Sequence, residues 1–283
     1  MNYYSITIDK KYLDSIKKYY NDYLQENDKK YLFFKAVKDE IIIECFLTGT
    51  IVVKGKNYSK EIEQIELLAN KVDFEAIGSD EVGTGDIFGP IVVCSCFLSL
   101  ENIKDLKKYN IRDSKIYTDE QIIKYASIIL NKIKPIYSVV ILKNQKYNEL
   151  VFKNKFNMNK IKAILHNHVI YSTYRKVNKD VKVILDQFCL ETNYFEYLKN
   201  EKYVFRDIEF KTRAERYHVS VACASIIARY VFLKAFQSLS KNLNMELKKG
   251  ASNEVCDQFK LLKDKYGIKS MSKIAKLNFK NIK

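Results

Sequence analysis

The sequence predicts a mixed α/β protein of two domains, a small α+β module over residues 1–70 and a larger mixed-sheet domain over residues 71–283. Three observations carry this. The first 70 residues run strand, helix, three strands and helix. Beyond them, hairpin strands alternate with strand–helix–strand units, the mixture that builds a mixed sheet. Charge divides at the same place: residues 1–70 hold 11 Lys and 11 Asp/Glu, so the whole excess of +15 falls on residues 71–283.

In the small module, Tyr3 to Ile8 alternates as a strand, and Lys11 to Leu24 has helical spacing through Leu13, Ile16, Tyr20 and Leu24. Tyr31 to Val37, Glu40 to Leu47 and Ile51 to Lys54 read as strands, the last two joined by a turn at Thr48-Gly49-Thr50. A charged helical stretch from Ser59 to Asn70 closes the module, which contains no catalytic constellation. In the larger domain, a pair of strands flanks the turn after Asp80-Glu81. A helix follows over Thr118 to Lys132, a strand over Ile136 to Leu142, and helix over residues 145–176. Val181 to Leu185 is a buried strand ending at Asp186-Gln187, a strand pair is expected near Tyr203 to Phe210, and a long helix runs from Val219 to about Leu239.

Apolar content of 47% supports a real core and excludes general disorder. A basic excess confined to one region is the footprint of a polyanion binder, although a Lys, Asn, Ile and Tyr bias from an A/T-rich genome gives the same count. None of the six cysteines forms a C-x-x-C pair and most lie in apolar runs, as expected of buried thiols in a reducing compartment. Cys94 and Cys96 share a strand face without a second ligand pair, and His166 and His168 point about 200° apart on a helix, so neither pair reads as a metal site. No apolar run near 18 residues is apparent, and no signal peptide, so a cytoplasmic protein without a membrane partner is expected.

The chemistry is concentrated in Ile77-Gly78-Ser79-Asp80-Glu81-Val82-Gly83-Thr84-Gly85-Asp86, followed by Gly89-Pro90 and a β-branched run. Adjacent carboxylates repel unless a cation neutralises them or they point to opposite faces of a strand. Glycines beside them admit a backbone or a phosphate. Together these suggest metal-dependent phosphoryl transfer, against the plainer reading of a solvated hairpin turn. The glycine spacing misses the dinucleotide fingerprint by one residue, and a strand follows where that motif needs a helix. Asp186 stands at the carboxyl end of an apolar strand, where open sheets place ligand groups, or where a turn residue ends a strand. Glu215 precedes a long helix rich in small residues, as a catalytic acid or as a dipole partner.

Taken in order, Gly78 to Pro90, Asp113-Ser114-Lys115, the run Asn157 to Asn167, Leu185-Asp186-Gln187-Phe188, Lys211-x-x-Ala214-Glu215 and Ala224 to Arg229 resemble the bacterial type 2 ribonuclease H family. Within it, the Gly-Thr-Gly turn and a glutamate as fourth acid are similar to ribonuclease HIII, whereas the HII relatives usually carry Gly-Arg-Gly and aspartate. The resemblance spans residues 71–283 and implies a ribonuclease H-like catalytic domain. Residues 1–70 then correspond to an N-terminal substrate-binding module similar to the TATA-binding-protein fold, matched here by layout.

The resemblance implies Asp80, Glu81, Asp186 and Glu215 as catalytic acids and ligands for two Mg²⁺ ions, with Mn²⁺ as a substitute and Asp80 bridging. It further implies an endonuclease cutting the RNA strand of RNA–DNA hybrids to 5′-phosphate and 3′-hydroxyl ends. The partner would be the hybrid duplex, bound by a monomer. Gly83, Thr84 and Gly85 are expected near the 2′-hydroxyl, and Ser114, Lys115, Asn157, Asn159 and Lys160 near phosphate and sugar. Two alternatives stay open: HII-like incision at single ribonucleotides in DNA, and a non-catalytic hybrid-binding protein.

Overall fold

The computed structural model describes residues 3–27, 29–69, 73–109, 111 and 117–282. The chain forms two compact units, Met1–Phe74 and Glu75–Lys283.

The first unit is an antiparallel five-stranded sheet with spatial order β1-β5-β4-β3-β2. Its strands are β1 (Tyr3–Thr7), β2 (Leu24–Gln25), β3 (Leu32–Lys38), β4 (Ile41–Phe46) and β5 (Thr50–Lys54). Helices α1 (Leu13–Tyr19) and α2 (Ser59–Leu68) supply Leu13, Ile16, Ile62 and Ile65 to a core shared with Ile6, Phe34, Ile43, Cys45, Ile51 and Val53. Those strand residues alternate, so the other face, with Lys35, Glu44, Phe46 and Val52, is left outside this core. Buried Glu61 ties the layers, accepting from Tyr20 Oη (2.6 Å) and Lys38 Nζ (2.8 Å). The helix expected over Lys11 to Leu24 is shorter. It stops at Tyr19, a 3₁₀ turn follows over Asn21–Tyr23, and Leu24 pairs with β3. Asn21-Asp22 favours turns over helix, because these side chains compete for the backbone.

The second unit holds a mixed sheet, β10-β9-β6-β7-β8. Strands β6 (Ala76–Val82), β7 (Ile91–Leu98) and β8 (Ile136–Leu142) form an antiparallel meander. Strands β9 (Lys182–Asp186) and β10 (Glu209–Lys211) add in parallel beside β6. Helix α6 (Met158–Val177) packs on one face and α8 (Val219–Leu243) on the other. Around them lie α4 (Asp119–Ile128), which continues into a π turn over Ile129–Ile133, and α5 (Asn144–Phe152). Three helices have no counterpart among the elements expected from sequence: α3 (Leu100–Lys107), α7 (Glu191–Tyr197) and α9 (Asn253–Ile274).

Gly78 explains how closely α8 approaches the sheet. A Cβ there would lie 2.2 Å from Val221 N and 2.6 Å from Ser220 Oγ, so only glycine lets the start of α8 cross β6 at this distance. By length and composition α8 could cross a membrane, contrary to the absence of such a stretch expected from sequence, because Arg229 and Lys234 interrupt the run without lowering its mean hydropathy enough. Within the fold, 67% of its apolar window is buried, as befits a core helix.

Two further expectations are corrected. Residues 145–176 form two helices, since Lys155 takes a left-handed conformation (φ 58°) and Asn157 caps a new start. The strand pair near Tyr203 to Phe210 reduces to β10. The amide of Asn167 donates to Tyr203 O (2.7 Å) and accepts from Phe205 N (2.9 Å), occupying backbone groups that a partner strand would otherwise pair.

Candidate active site

Parallel pairing brings the acids to one end of the sheet. Ser79 lies opposite Leu185 as the last pair of the β6–β9 register, so Asp80 and Asp186 stand level at the next step, where β9 ends and β6 runs on beside β7. Side chains alternate, which sends Ser79 and Glu81 toward α6 and Asp80 toward α8. Asp186 Oδ1 accepts from Ala214 N (2.9 Å). That contact anchors the 3₁₀ turn Ala214–Arg216, which carries buried Glu215 into the approach to α8. Asp80 is buried, accepts from Glu81 N (2.8 Å) through Oδ1, and takes a hydrogen bond from Ser225 on α8.

Glu81 is gripped from α6. Lys162 Nζ meets Oε1, and His166 Nε2 lies 2.9 Å from Oε2. These two residues are four apart and therefore share one helix face. Phe188, just past β9, stacks on the His166 imidazole (centroids 5.4 Å apart) and receives Lys162 Nζ over its ring at 4.1 Å. Burial holds His166 below its ordinary pKa, against the pull of Glu81. The ring sets Nε2 against Glu81 Oε2 and Nδ1 2.8 Å from Ser79 Oγ, whose hydroxyl also reaches Cys94 O (3.0 Å). Burial alone would raise Glu81, but His166 and Lys162 outweigh it and keep the carboxylate ionised. Asp80 shows the opposite balance. Burial first, then the charges of Glu81 and Asp186, push it well above the carboxylate range.

The donor set suits a hard divalent cation: carboxylate oxygens only, with Asp80 repelled by two neighbours in the absence of positive charge. Among the described residues no group of three His, Cys, Asp or Glu side chains is already drawn into a ligand cage. The reason is visible in Glu81, which is turned to the α6 side by Lys162 and His166 while Asp80 faces α8. Without a cation, closer convergence of these charges has nothing to offset the repulsion.

The expected substrate contacts divide. Gly83 is buried with φ +91°, and a Cβ there would meet Pro90 O at 2.2 Å, so this glycine serves the turn itself. Gly85 is exposed with nothing within 4 Å of an added Cβ, and Thr84 is half-buried beside it. Asn157 Oδ1 accepts from Lys160 N (2.8 Å) as the cap of α6, and Lys160 Nζ sits over Phe156 at 4.0 Å. Asn159 is half-buried in the first turn of α6. Ser114 and Lys115 lie outside the described residues. Sequence reasoning missed Lys162, His166, Phe188 and Ser225. The four-residue spacing of Lys162 and His166 was the available signal, obscured by weighing His166 against His168.

Comparison with known proteins identifies the family. The model of the ribonuclease HII family matches residues 77–282. Ribonuclease HIII of Phytoplasma mali is 50% identical over 100% of this chain and 98% of its own length. Ribonuclease HIII of Listeria monocytogenes (serotype 4b) is 36% identical over 88% of this chain and 80% of its own. Among solved structures, Bst-RNase HIII in complex with Mn²⁺ superposes with a TM-score of 0.74 at 30% identity, covering 99% of this chain and 97% of that one. Aquifex aeolicus RNase H3 gives 0.59 at 26% identity, covering 97% and 99%. The chain is an enzyme of the ribonuclease H type and belongs to the ribonuclease HIII family.

Proposed function

We propose that this chain is an endonuclease that hydrolyses the RNA strand of RNA–DNA hybrids and leaves 5′-phosphate and 3′-hydroxyl ends. The observation that carries the reading is the level placement of Asp80 and Asp186 on parallel strands, with Glu81 next to one and Glu215 tied to the other through Ala214. Asp80, Glu81, Asp186 and Glu215 would hold two divalent cations, Mg²⁺ or Mn²⁺. When bound, these supply the Lewis acidity that activates a water and steadies the departing 3′ oxygen. The Mn²⁺ complex of Bst-RNase HIII supports a metal-dependent reaction here.

The chain's own residues do the rest. Lys162 and His166 fix the orientation of Glu81 and keep it ionised. Ser225 and the Glu81 amide orient Asp80. Gly85, open on its solvent side, lets a nucleic-acid backbone approach the turn and lets peptide groups there meet the 2′-hydroxyl. The first unit contributes affinity through its sheet face, where exposed Tyr31 stacks on Phe46 (6.0 Å between centroids, 7° between planes) and Lys29, Lys35 and Lys54 surround Glu44.

The test is cleavage of an end-labelled hybrid with Mg²⁺ and analysis of both new ends. Products carrying 5′-phosphate and 3′-hydroxyl, absent with single-stranded RNA and with DNA duplex, are expected. A 3′-phosphate or cyclic phosphate would overturn the reading, because that chemistry uses the 2′-hydroxyl as nucleophile and not water.

A further inference from the structure

The turn from Gly83 to Pro90 is gripped from behind by the end of the chain. Lys276 follows α9 and is wholly buried, yet it is a lysine. Its Nζ donates to two carbonyls of that turn, Asp86 O (2.7 Å) and Gly89 O (2.6 Å), while its backbone amide donates to Ile87 O (2.8 Å). Ala275 bridges Phe88 in antiparallel fashion. A second loop closes the other side: Gly250 N donates to Asp86 Oδ1 (2.6 Å) and Ile87 N to Gly250 O (2.9 Å). The strap is itself anchored to α5. Asn148 donates to Ser272 O (2.9 Å) and Ala275 O (2.8 Å) and accepts from Leu277 N (2.9 Å), and Tyr147 Oη donates to Asn278 Oδ1 (2.9 Å).

Burying an ammonium is costly, and space alone could be filled by an apolar side chain. What a lysine adds is a pair of hydrogen bonds donated to two carbonyls three residues apart, which an amine supplies with or without its third proton and which fixes their separation and direction. With those carbonyls held inward, the segment Gly83-Thr84-Gly85 keeps one shape and presents its open side, at Gly85, to solvent.

We propose that Lys276 is a positioning residue that sets this turn for discrimination of ribose from deoxyribose. The proposal rests on the reading that the turn meets the 2′-hydroxyl. Lys276 touches neither substrate nor acids; it acts through the backbone of Asp86 and Gly89.

The experiment uses the full chain and a set of hybrids in which one 2′-deoxynucleotide is stepped through the RNA strand. The largest loss of kcat/KM at any single position is the ribose penalty. In Lys276→Met the penalty is expected to fall at least fivefold, while Mn²⁺ affinity of the free enzyme, read by electron paramagnetic resonance, stays within twofold of wild type. Asn148→Ala, which frees the strap without touching the buried amine, should lower the penalty in the same direction and guards against a Lys276→Met protein that fails to fold. An unchanged penalty in the folded variants, whatever their overall rate, overturns the proposal, since a purely structural loss slows all substrates alike. Gly85→Val separates this from failure of the underlying reading. Its side chain has room in the free protein, so wild-type cleavage by Gly85→Val would refute contact at the turn. Loss of cleavage there, with an unchanged penalty in Lys276→Met, would refute only the role of Lys276.

Discussion

The two units each contain a five-stranded sheet, and they differ in what the sheet offers. In the first, every pairing is antiparallel, neighbouring strands point in opposite directions, and the helical core covers one face. Such a sheet presents a surface. In the second, β6, β9 and β10 run parallel, so three strands finish at one end. Residues at those ends, and in the turn that follows, converge on a point. A broad surface suits contact with a long duplex, and a convergence of acids suits work on one phosphodiester. The charge pattern follows: a balanced first 70 residues and a basic remainder.

This division is broken most directly at Asp80. Asp80→Asn is expected to reduce hybrid cleavage in Mg²⁺ by about a thousandfold or more, because it removes a carboxylate from the point of convergence. Hybrid affinity in Ca²⁺ should remain within about threefold, since recognition is placed elsewhere. Thermal stability should be equal or higher, because the variant relieves repulsion from Glu81 and Asp186. Cleavage within tenfold of wild type would remove Asp80 from the mechanism. A smaller effect is expected at Lys162. Lys162→Met leaves Glu81 with His166 alone, and kcat should fall about tenfold with KM little changed, as measured in steady-state cleavage.

The same comparison predicts a different signature on the first sheet. Replacing both stacked rings, Tyr31→Ala with Phe46→Ala, should raise KM about three- to tenfold and leave kcat unchanged, at a stacking contribution of about 1 kcal/mol or more. A fall in kcat with constant KM would mean that this face takes part in the chemical step.

How far these features could be read in advance depended on how each announces itself. The β6–turn–β7 hairpin was legible because an apolar run, a glycine-bearing turn and a second apolar run have one economical arrangement. Asp186 was legible because Val183, Ile184 and Leu185 make an unmistakable buried strand before it. Helices α7 and α9 were not, since their apolar residues are diluted among polar ones and Gly267 interrupts α9 with φ 74°. The parallel register of Asp80 and Asp186 depends on pairing between residues a hundred apart, which no local pattern carries. Lys276 is the extreme case. In Ala275-Lys276-Leu277 a lysine between apolar residues reads as the exposed member of an alternation, and only tertiary packing reveals it as buried.

That buried lysine and Glu44 give the two units pH responses of the same sign in different windows. Burial lowers the Lys276 pKa from its usual value to about 7, with Asp86 pulling the other way. Between pH 7 and the unfolded value near 10.4 the unfolded chain therefore holds more protons at this site than the native one, and stability rises with pH. The gain is at most ~1.4 kcal/mol per pH unit for one proton. Glu44 in the first unit acts in the same sense but in the acid range. Lys54 above all, with Lys29 and Lys35, holds it below the ordinary glutamate range. Its contribution is present above the unfolded pKa and is lost as the pH falls through the folded one. Melting curves of wild type, Lys276→Met and Glu44→Gln from pH 3.5 to 9 separate the two. The wild-type advantage over Lys276→Met should grow by about 1–3 °C per unit from pH 7 to 9. The advantage over Glu44→Gln should stay flat there and disappear only toward pH 3.5. Parallel curves for wild type and Lys276→Met above pH 7 would mean that the amine holds its proton throughout, with the carbonyls of Asp86 and Gly89 stabilising the ammonium more than burial disfavours it.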